Sequence, residues 1–463
     1  MDTISRRTFL RVSALGLAGV AIGSRTSIVR GAIGFPTVET STLQLTMREC
    51  LAEMIDLTPV YMWAFDTPQT GLRIPGPVIY AVEGTPVVVD VTNAMPHAHG
   101  FAVPGVVDSG PIAPGETVQL TFDAPTAGTY IYFDPTGEPV SRMMGLAGAL
   151  VVVPITGPTP YSAPTRSVTN LFDDLGTTNH FPGDPWRPER SWTWVFSSVD
   201  DVLHEQVRLQ PDLSPAEFAA AYHPTHFMIN GKSGYFTGRD PATEMHGRVG
   251  QPALIRSVNV GMVTHSPHIH GNHVYVLATD GRVQSNVIAH DTWELLPLST
   301  VDVLHPFIRP PDAYPWPPSD PTVWTTDLGG DGHVGMVYPM HCHGELSQLA
   351  RGSNYPQGAV THWVLTGDLE EPPPPPTSTT STTTTTTTTT TMPTTTSSTT
   401  TTSSTTTTSS TTSTTTMPTT TTSTTVPKRR GKPERRHRPE RRGKPDKRDE
   451  SRRRTNRRPR GTR

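Results

Sequence analysis

Val87-Val88-Val89-Asp90-Val91 is one of five short apolar runs between residues 78 and 153, the others being Val78 to Val82, Val118 to Phe122, Tyr130 to Phe133 and Ala149 to Val153. Gly and Pro turns separate these runs, and no long helical periodicity joins them. Apolar, largely β-branched segments of this length, punctuated by turn formers, are the strands of an antiparallel sandwich. The same texture returns from Trp192 to Gly367, with one short helical signal at Pro215 to Tyr222. A polar, proline-rich stretch separates the two. The expected fold class is therefore all-β, with sandwich domains at residues 40–158 and 192–368 and a linker at 159–191. Each domain is long enough to bury its own core.

The two ends of the chain differ in composition from this core. Ser5-Arg6-Arg7-Thr8-Phe9-Leu10-Arg11 precedes the apolar run Val12 to Ile22. That run is short for a membrane span and fits the apolar centre of an export signal, with small residues near Gly31 and Ala32 for cleavage. Residues 1–32 thus read as a twin-arginine signal peptide, and the protein as extracellular or cell-envelope associated. Residues 372–427 begin with five prolines and continue almost wholly as Thr and Ser, a disordered stalk with nothing to form a core. Residues 428–463 carry 19 Lys or Arg against 5 Asp or Glu, a formal charge of +14 in a chain whose total is −3. This disordered basic tail suits anionic envelope polymers. It has no interleaved aromatics for stacking on bases, so specific nucleic-acid recognition is not expected.

Chemistry concentrates in three histidine clusters. His341-Cys342-His343 places a thiol between two imidazoles, and on a strand the thiol faces opposite to both neighbours. Metals held by sulfur and by imidazole can then sit back to back, a geometry suited to electron relay between copper sites. His265-Ser-Pro-His268-Ile-His270 and His97-Ala-His99 add further His-x-His pairs, whose rings share a face. Only Cys50 and Cys342 are present, which excludes a disulfide framework, and Cys50 reads as a small, partly buried hydrophobe. No Ser-His-Asp ordering, phosphate loop or paired-carboxylate motif competes.

In order and spacing these clusters resemble the multicopper oxidases, the family that includes laccases. The likeness extends to Pro75-Gly76-Pro77-Val78-Ile79, to Val87 through Asn93 leading into His97, and to Gly145 through Pro154. In the second half, Phe227-Met228-Ile229-Asn230-Gly231-Lys232 and Val274-Tyr275-Val276-Leu277 match the family's last domain. The resemblance implies two cupredoxin-like Greek-key domains, copper as cofactor, and a reductant, either a small molecule or a metal ion, with dioxygen as acceptor. It implies that His97 and His268 hold the lone copper of the cluster, and His99, His270, His341 and His343 the paired coppers. It further implies that Cys342 and His265 hold the separate blue copper, with Cys342, His341 and His343 as the electron path. Two-domain members close the cluster between subunits, which implies a homotrimer in which His97 and His99 face a neighbour's second-domain histidines.

Two departures stand against a complete site. The family carries another His-x-His after the Gly-Thr-Tyr that here is Gly128-Thr129-Tyr130, and the aligned residues are Phe133-Asp134-Pro135. Five positions beyond Cys342 a histidine is expected and Ser347 stands, while Gly352 occupies the axial position. An alignment through Gly358 puts Asn354, in place of Ser347, at the histidine position. The cluster is thus short of two imidazoles unless Asp134 or another histidine of the chain substitutes, and the blue site is short of one. Three readings follow: an oxidase of small phenols or metal ions; a copper-binding envelope protein with a degenerate cluster and no turnover; and, more weakly, a protein like the nitrite reductases, which keep their cysteine-ligated copper in the first domain. His273 is expected to orient the ligands at His268 and His270.

Overall fold

The computed structural model describes residues 2–4, 20–22, 42–311, 335–353 and 355–369. The stalk, the basic tail, Asn354 and most of the expected signal lie outside the described residues. Neither cysteine forms a disulfide. Among the described residues no helix is long and apolar enough to cross a membrane.

The first domain contains β1 (Leu43–Glu53), β2 (Pro59–Thr67), β3 (Ile79–Val82), β4 (Pro86–Asn93), β5 (Thr117–Asp123), β6 (Gly128–Phe133) and β7 (Ala147–Val153). One sheet runs β5-β4-β1-β2 with Gly71–Arg73 at its edge, and the other places β3, β7 and β6 side by side. In β4 buried and less buried residues alternate strictly after Pro86, so Val87, Val89 and Val91 enter the core. They pack there with Leu43, Leu45, Phe65, Phe101 and Leu150.

The second domain contains β8 (Ser191–Val199), β9 (His226–Ile229), β10 (Met245–Arg248), β11 (Ala253–Asn259), β12 (Pro267–Ile269), β13 (Val274–Thr279), β14 (Thr300–His305), β15 (Met336–Cys342) and β16 (Val360–Gly367). Its sheets run β9-β8-β11-β14-β13 and β10-β16-β15-β12. The core between them holds Trp194, Phe196, Trp293, Phe307, Trp363 and Cys342.

The architecture is all-β, as expected, but the sheets are mixed rather than antiparallel throughout. Each contains a parallel pair: β1 with β4, β3 with β7, β8 with β11, and β10 with β16. Parallel neighbours need a crossover between them, which arises when the chain passes from one sheet to the other before returning.

Besides a four-residue helical turn at Val140–Met143, two longer helices join the one expected near Pro215: α1 (Arg166–Asp174) and α2 (Asp201–Leu209) precede α3 (Pro215–Ala221). The stretch 159–191 is therefore packed rather than extended. Val168, Leu171 and Phe172 of α1 join Trp186, Leu254 and Leu304 in a separate apolar cluster. These helices escape a periodicity reading because each is short and buries only three or fewer side chains.

The two sandwiches are bound to each other by an apolar layer of Ile131, Ala147, Ala149, Val195, Val258 and Val260. A buried polar knot reinforces it. Arg256 and Asp302 pair at 2.9 Å, and Asp302 also accepts from Thr129 Oγ1 at 2.6 Å and from the Tyr161 hydroxyl at 2.9 Å. Across the same boundary, Arg142 donates to the carbonyls of Val260 and Gly261 at 2.6 and 2.9 Å.

Candidate metal centre

Strand pairing assembles the second-domain histidines. β12 runs antiparallel to β15 with His268 directly opposite His341, and the amide of His343 donates to Ser266 O at 2.8 Å. Directly opposed residues on one face bring their side chains within contact distance. The ring of His268 lies 4.7 Å from that of His270, 5.5 Å from that of His341 and 5.0 Å from that of His343. Nε2 of His270 is 3.1 Å from Nε2 of His341. Two imidazole nitrogens on one tetrahedral metal, with bonds of about 2.0 Å, would be roughly 3.3 Å apart, so this spacing fits a shared ion. His268, His270 and His341 offer ligand atoms all within 4.8 Å of one another, and no other group of three or more metal-binding side chains exists among the described residues.

The tautomers are set from behind. His268 Nδ1 donates to the Asp291 carbonyl at 3.1 Å and to Thr292 Oγ1 at 3.0 Å, leaving Nε2 as the lone pair toward the cluster. His341 Nδ1 donates to Cys342 O at 3.3 Å with the same result. Burial, and then the neighbouring histidines, hold His270 below the ordinary imidazole range. His341 is lowered in the same direction, chiefly by burial. Neutral rings are what copper requires. His273, expected to orient this group, is exposed, and Asp291 and Thr292 take that role.

Cys342 faces the opposite way. In β15 the burial alternates so that His341 is part-exposed and Cys342 is wholly buried, the back-to-back arrangement that strand geometry dictates. Its sulfur accepts from the Ser266 amide at 3.3 Å. His265 is also fully buried, against Phe196 and Phe227, and neither of its ring nitrogens has a hydrogen-bond partner. Desolvation lowers it to about 4. An imidazole with two orphaned nitrogens in a core is costly unless something ligates it. Ser347 is buried nearby, its hydroxyl donating to Gly344 O at 2.6 Å, and a Cβ on Gly344 would lie 3.4 Å from Ser347 Oγ and 3.8 Å from the Cys342 sulfur. A hydroxyl thus occupies the neighbourhood where a third soft ligand is needed.

The first-domain pair is split. His97 is exposed, whereas His99 is buried and packs edge-on to Trp63 at 4.8 Å. His99 Nδ1 donates to Asp134 Oδ2 at 2.6 Å, and its Nε2 is buried without a partner. Asp134 is wholly buried, and its other oxygen accepts from the amides of Gly100 and Thr136 at 2.7 and 2.8 Å. The carboxylate is spent on these groups. It orients His99 rather than replacing the absent imidazoles, and the backbone contacts that commit it are not visible in sequence. Neither His97 nor His99 enters the close group formed by His268, His270 and His341 within this chain.

Gly145 fixes the approach of Trp63. Its φ is +125°, and a Cβ there would fall 2.2 Å from the Trp63 carbonyl oxygen, so only glycine lets β7 begin where it does. The motif starting at Gly145 therefore helps seat the indole that flanks His99.

The chain thus combines two cupredoxin-type sandwiches with a close histidine group that could hold a metal ion and a buried cysteine on the opposite face of the same strand. Residues 67–156 match the family model described as "Multicopper oxidase". The solved blue copper oxidase of Nitrosomonas europaea shares the fold, with a TM-score of 0.50 and 18% identity over 70% of this chain and 85% of that one. The chain is 31% identical over 153 residues to the multicopper oxidase MCE of Talaromyces pinophilus, covering 28% of this chain and 24% of that protein. It is 27% identical over 252 residues to the copper-containing nitrite reductase of Cereibacter sphaeroides, covering 51% of this chain and 62% of that one. These alignments span less than two thirds of either relative. Over residues 67–156 the chain therefore carries a multicopper oxidase-type domain, and beyond them the likeness is one of fold.

Proposed function

We propose that this protein is an exported copper-dependent oxidase that takes electrons from small phenols or metal ions and passes them to dioxygen. The observation that carries this reading is the paired arrangement in β15: buried Cys342 faces one side, and His341 joins His268 and His270 on the other. His265 and Cys342 would hold the electron-accepting copper, and His268, His270, His341 and His343 would hold the cluster with His97 and His99. Copper would supply one-electron transfer and dioxygen binding. The protein's part is to fix the ring tautomers through Asp291, Thr292 and Asp134, and to join the two sites by a single peptide unit.

His97 is exposed, and the second-domain group is only part-buried, with His270 and His343 at the surface. Open half-sites on two domains are completed most simply by a second copy, and a homotrimer that brings them face to face is part of the proposal. Export through the twin-arginine signal and retention by the basic tail complete it.

The positions of Phe133, Pro135 and Ser347 favour a second reading, a copper-binding envelope protein without turnover. Purified, copper-loaded protein distinguishes the two. Metal per subunit and oxygen uptake with phenolic, ferrous and manganous donors are measured, with nitrite plus an artificial reductant as a further arm. Copper bound without oxygen uptake from any donor removes the oxidase reading, and turnover of nitrite alone would replace it.

A further inference from the structure

We infer that the cleft between the two sandwiches is a binding site for an organic anion, a carboxylate or sulfonate on an apolar, ring-sized body, with the Arg73 guanidinium as its counter-charge. The cleft has a volume of about 500 Å³ and is lined by Arg73, Pro75 and Tyr80 from the first domain and by Trp192, Val195 and Pro241 from the second. Mostly apolar cavities of this size with a few convergent polar groups are the usual form of a small-molecule site. None of the histidines or the cysteine of the metal centre lines it.

Arg73 is what selects an anion. It sits in the edge strand Gly71–Arg73 and is half-buried, and among the described residues no side-chain hydrogen bond or salt bridge holds it. Asp240 is the carboxylate that acts on it, but Asp240 is taken by Lys232 at 2.6 Å. Burial accordingly pushes the Arg73 guanidinium below its ordinary range. A half-buried cation beside an occupied carboxylate is stabilised when an anion reaches it.

Of the other cations on the wall, Arg187 lies exposed to solvent and Arg190 is already committed. Arg190 donates to the carbonyls of Gln251, Pro252 and His246, and Asp184 and Glu189 act on Arg190. Trp192 donates its indole N–H to Pro241 O at 3.1 Å, which fixes the ring as part of the wall. The apolar surface and the unpaired cation therefore favour a body with a ring and a single negative charge.

The test uses the full, copper-loaded chain and calorimetric titration with naphthalene-2-sulfonate and its neutral counterpart 2-naphthalenemethanol. The expected result is one sulfonate bound per chain with at least about tenfold preference over the alcohol. Arg73→Gln should weaken the sulfonate about 10- to 100-fold, the usual range for losing a charge-assisted contact, and leave the alcohol unchanged. Ala242→Trp, which fills the cleft from the second domain, should abolish both and serves if the Arg73 variant does not fold. Equal affinity for the two probes, or sulfonate binding undiminished by Arg73→Gln or by Ala242→Trp, overturns the assignment.

Discussion

Asp134 holds His99 by a 2.6 Å hydrogen bond to Nδ1 while its second oxygen is occupied by two backbone amides. A carboxylate accepts only, so the proton is on Nδ1 and the buried Nε2 presents a lone pair. Asp134→Asn keeps the shape but weakens this orientation. Copper affinity of the site containing His99, measured by competition with a chelator, should fall about 10- to 100-fold. Unchanged affinity would mean that Asp134 serves only the Gly100 and Thr136 amides.

Cys342→Ser should remove any intense visible thiolate-to-copper absorption and leave the histidine-bound copper in place, since Cys342 faces the core and His341 the cluster. The converse substitution tests the gap. Ser347→His should strengthen or create the band by adding an imidazole near the sulfur. Absorption spectra of the copper-loaded variants check both, and a Cys342→Ser spectrum identical to that of the unaltered protein would show that the thiol binds no copper.

Gly145→Ala should destabilise the first domain by about 2–3 kcal/mol, because the added methyl meets the Trp63 carbonyl and the backbone is in a region that alanine avoids. Urea unfolding followed by tryptophan fluorescence measures it. A change below about 0.5 kcal/mol would mean that β7 can shift freely.

Acid should unfold the protein partly through two core histidines outside the metal centre. Burial lowers His204 to about 4 and His305 to about 3, while in the unfolded chain both titrate near 6.5. Between those values the unfolded chain binds protons that the folded one refuses. Stability is therefore retained above about pH 6.5 and falls as the pH drops toward 4, by about 1.4 kcal/mol per pH unit for each ring. His305→Gln, which keeps an acceptor for the Phe307 amide, should flatten part of that slope in metal-free protein. An identical slope would assign the acid sensitivity elsewhere.

Removing residues from Pro372 onward should release the protein from the cell envelope without altering copper content. Fractionation followed by metal analysis decides the point, and unchanged retention would exclude the basic tail as the anchor.

Much of the site could be read from residue order alone. That Cys342 and His341 face apart follows from the two-residue period of a strand, and that Val87, Val89 and Val91 enter a core follows from the same period. Local covalent geometry suffices for such statements. The partners of those residues come from distant parts of the chain, and only the packed fold selects them. Asp134 turns to His99 and two amides, Asp291 and Thr292 take the orienting role expected of His273, and Ser347 comes to rest near the sulfur. The unpaired charge of Arg73 is likewise a tertiary fact, because it depends on Lys232 reaching Asp240 first. Spacing along a strand determines which way a side chain points; competition among groups brought together by folding determines what it meets.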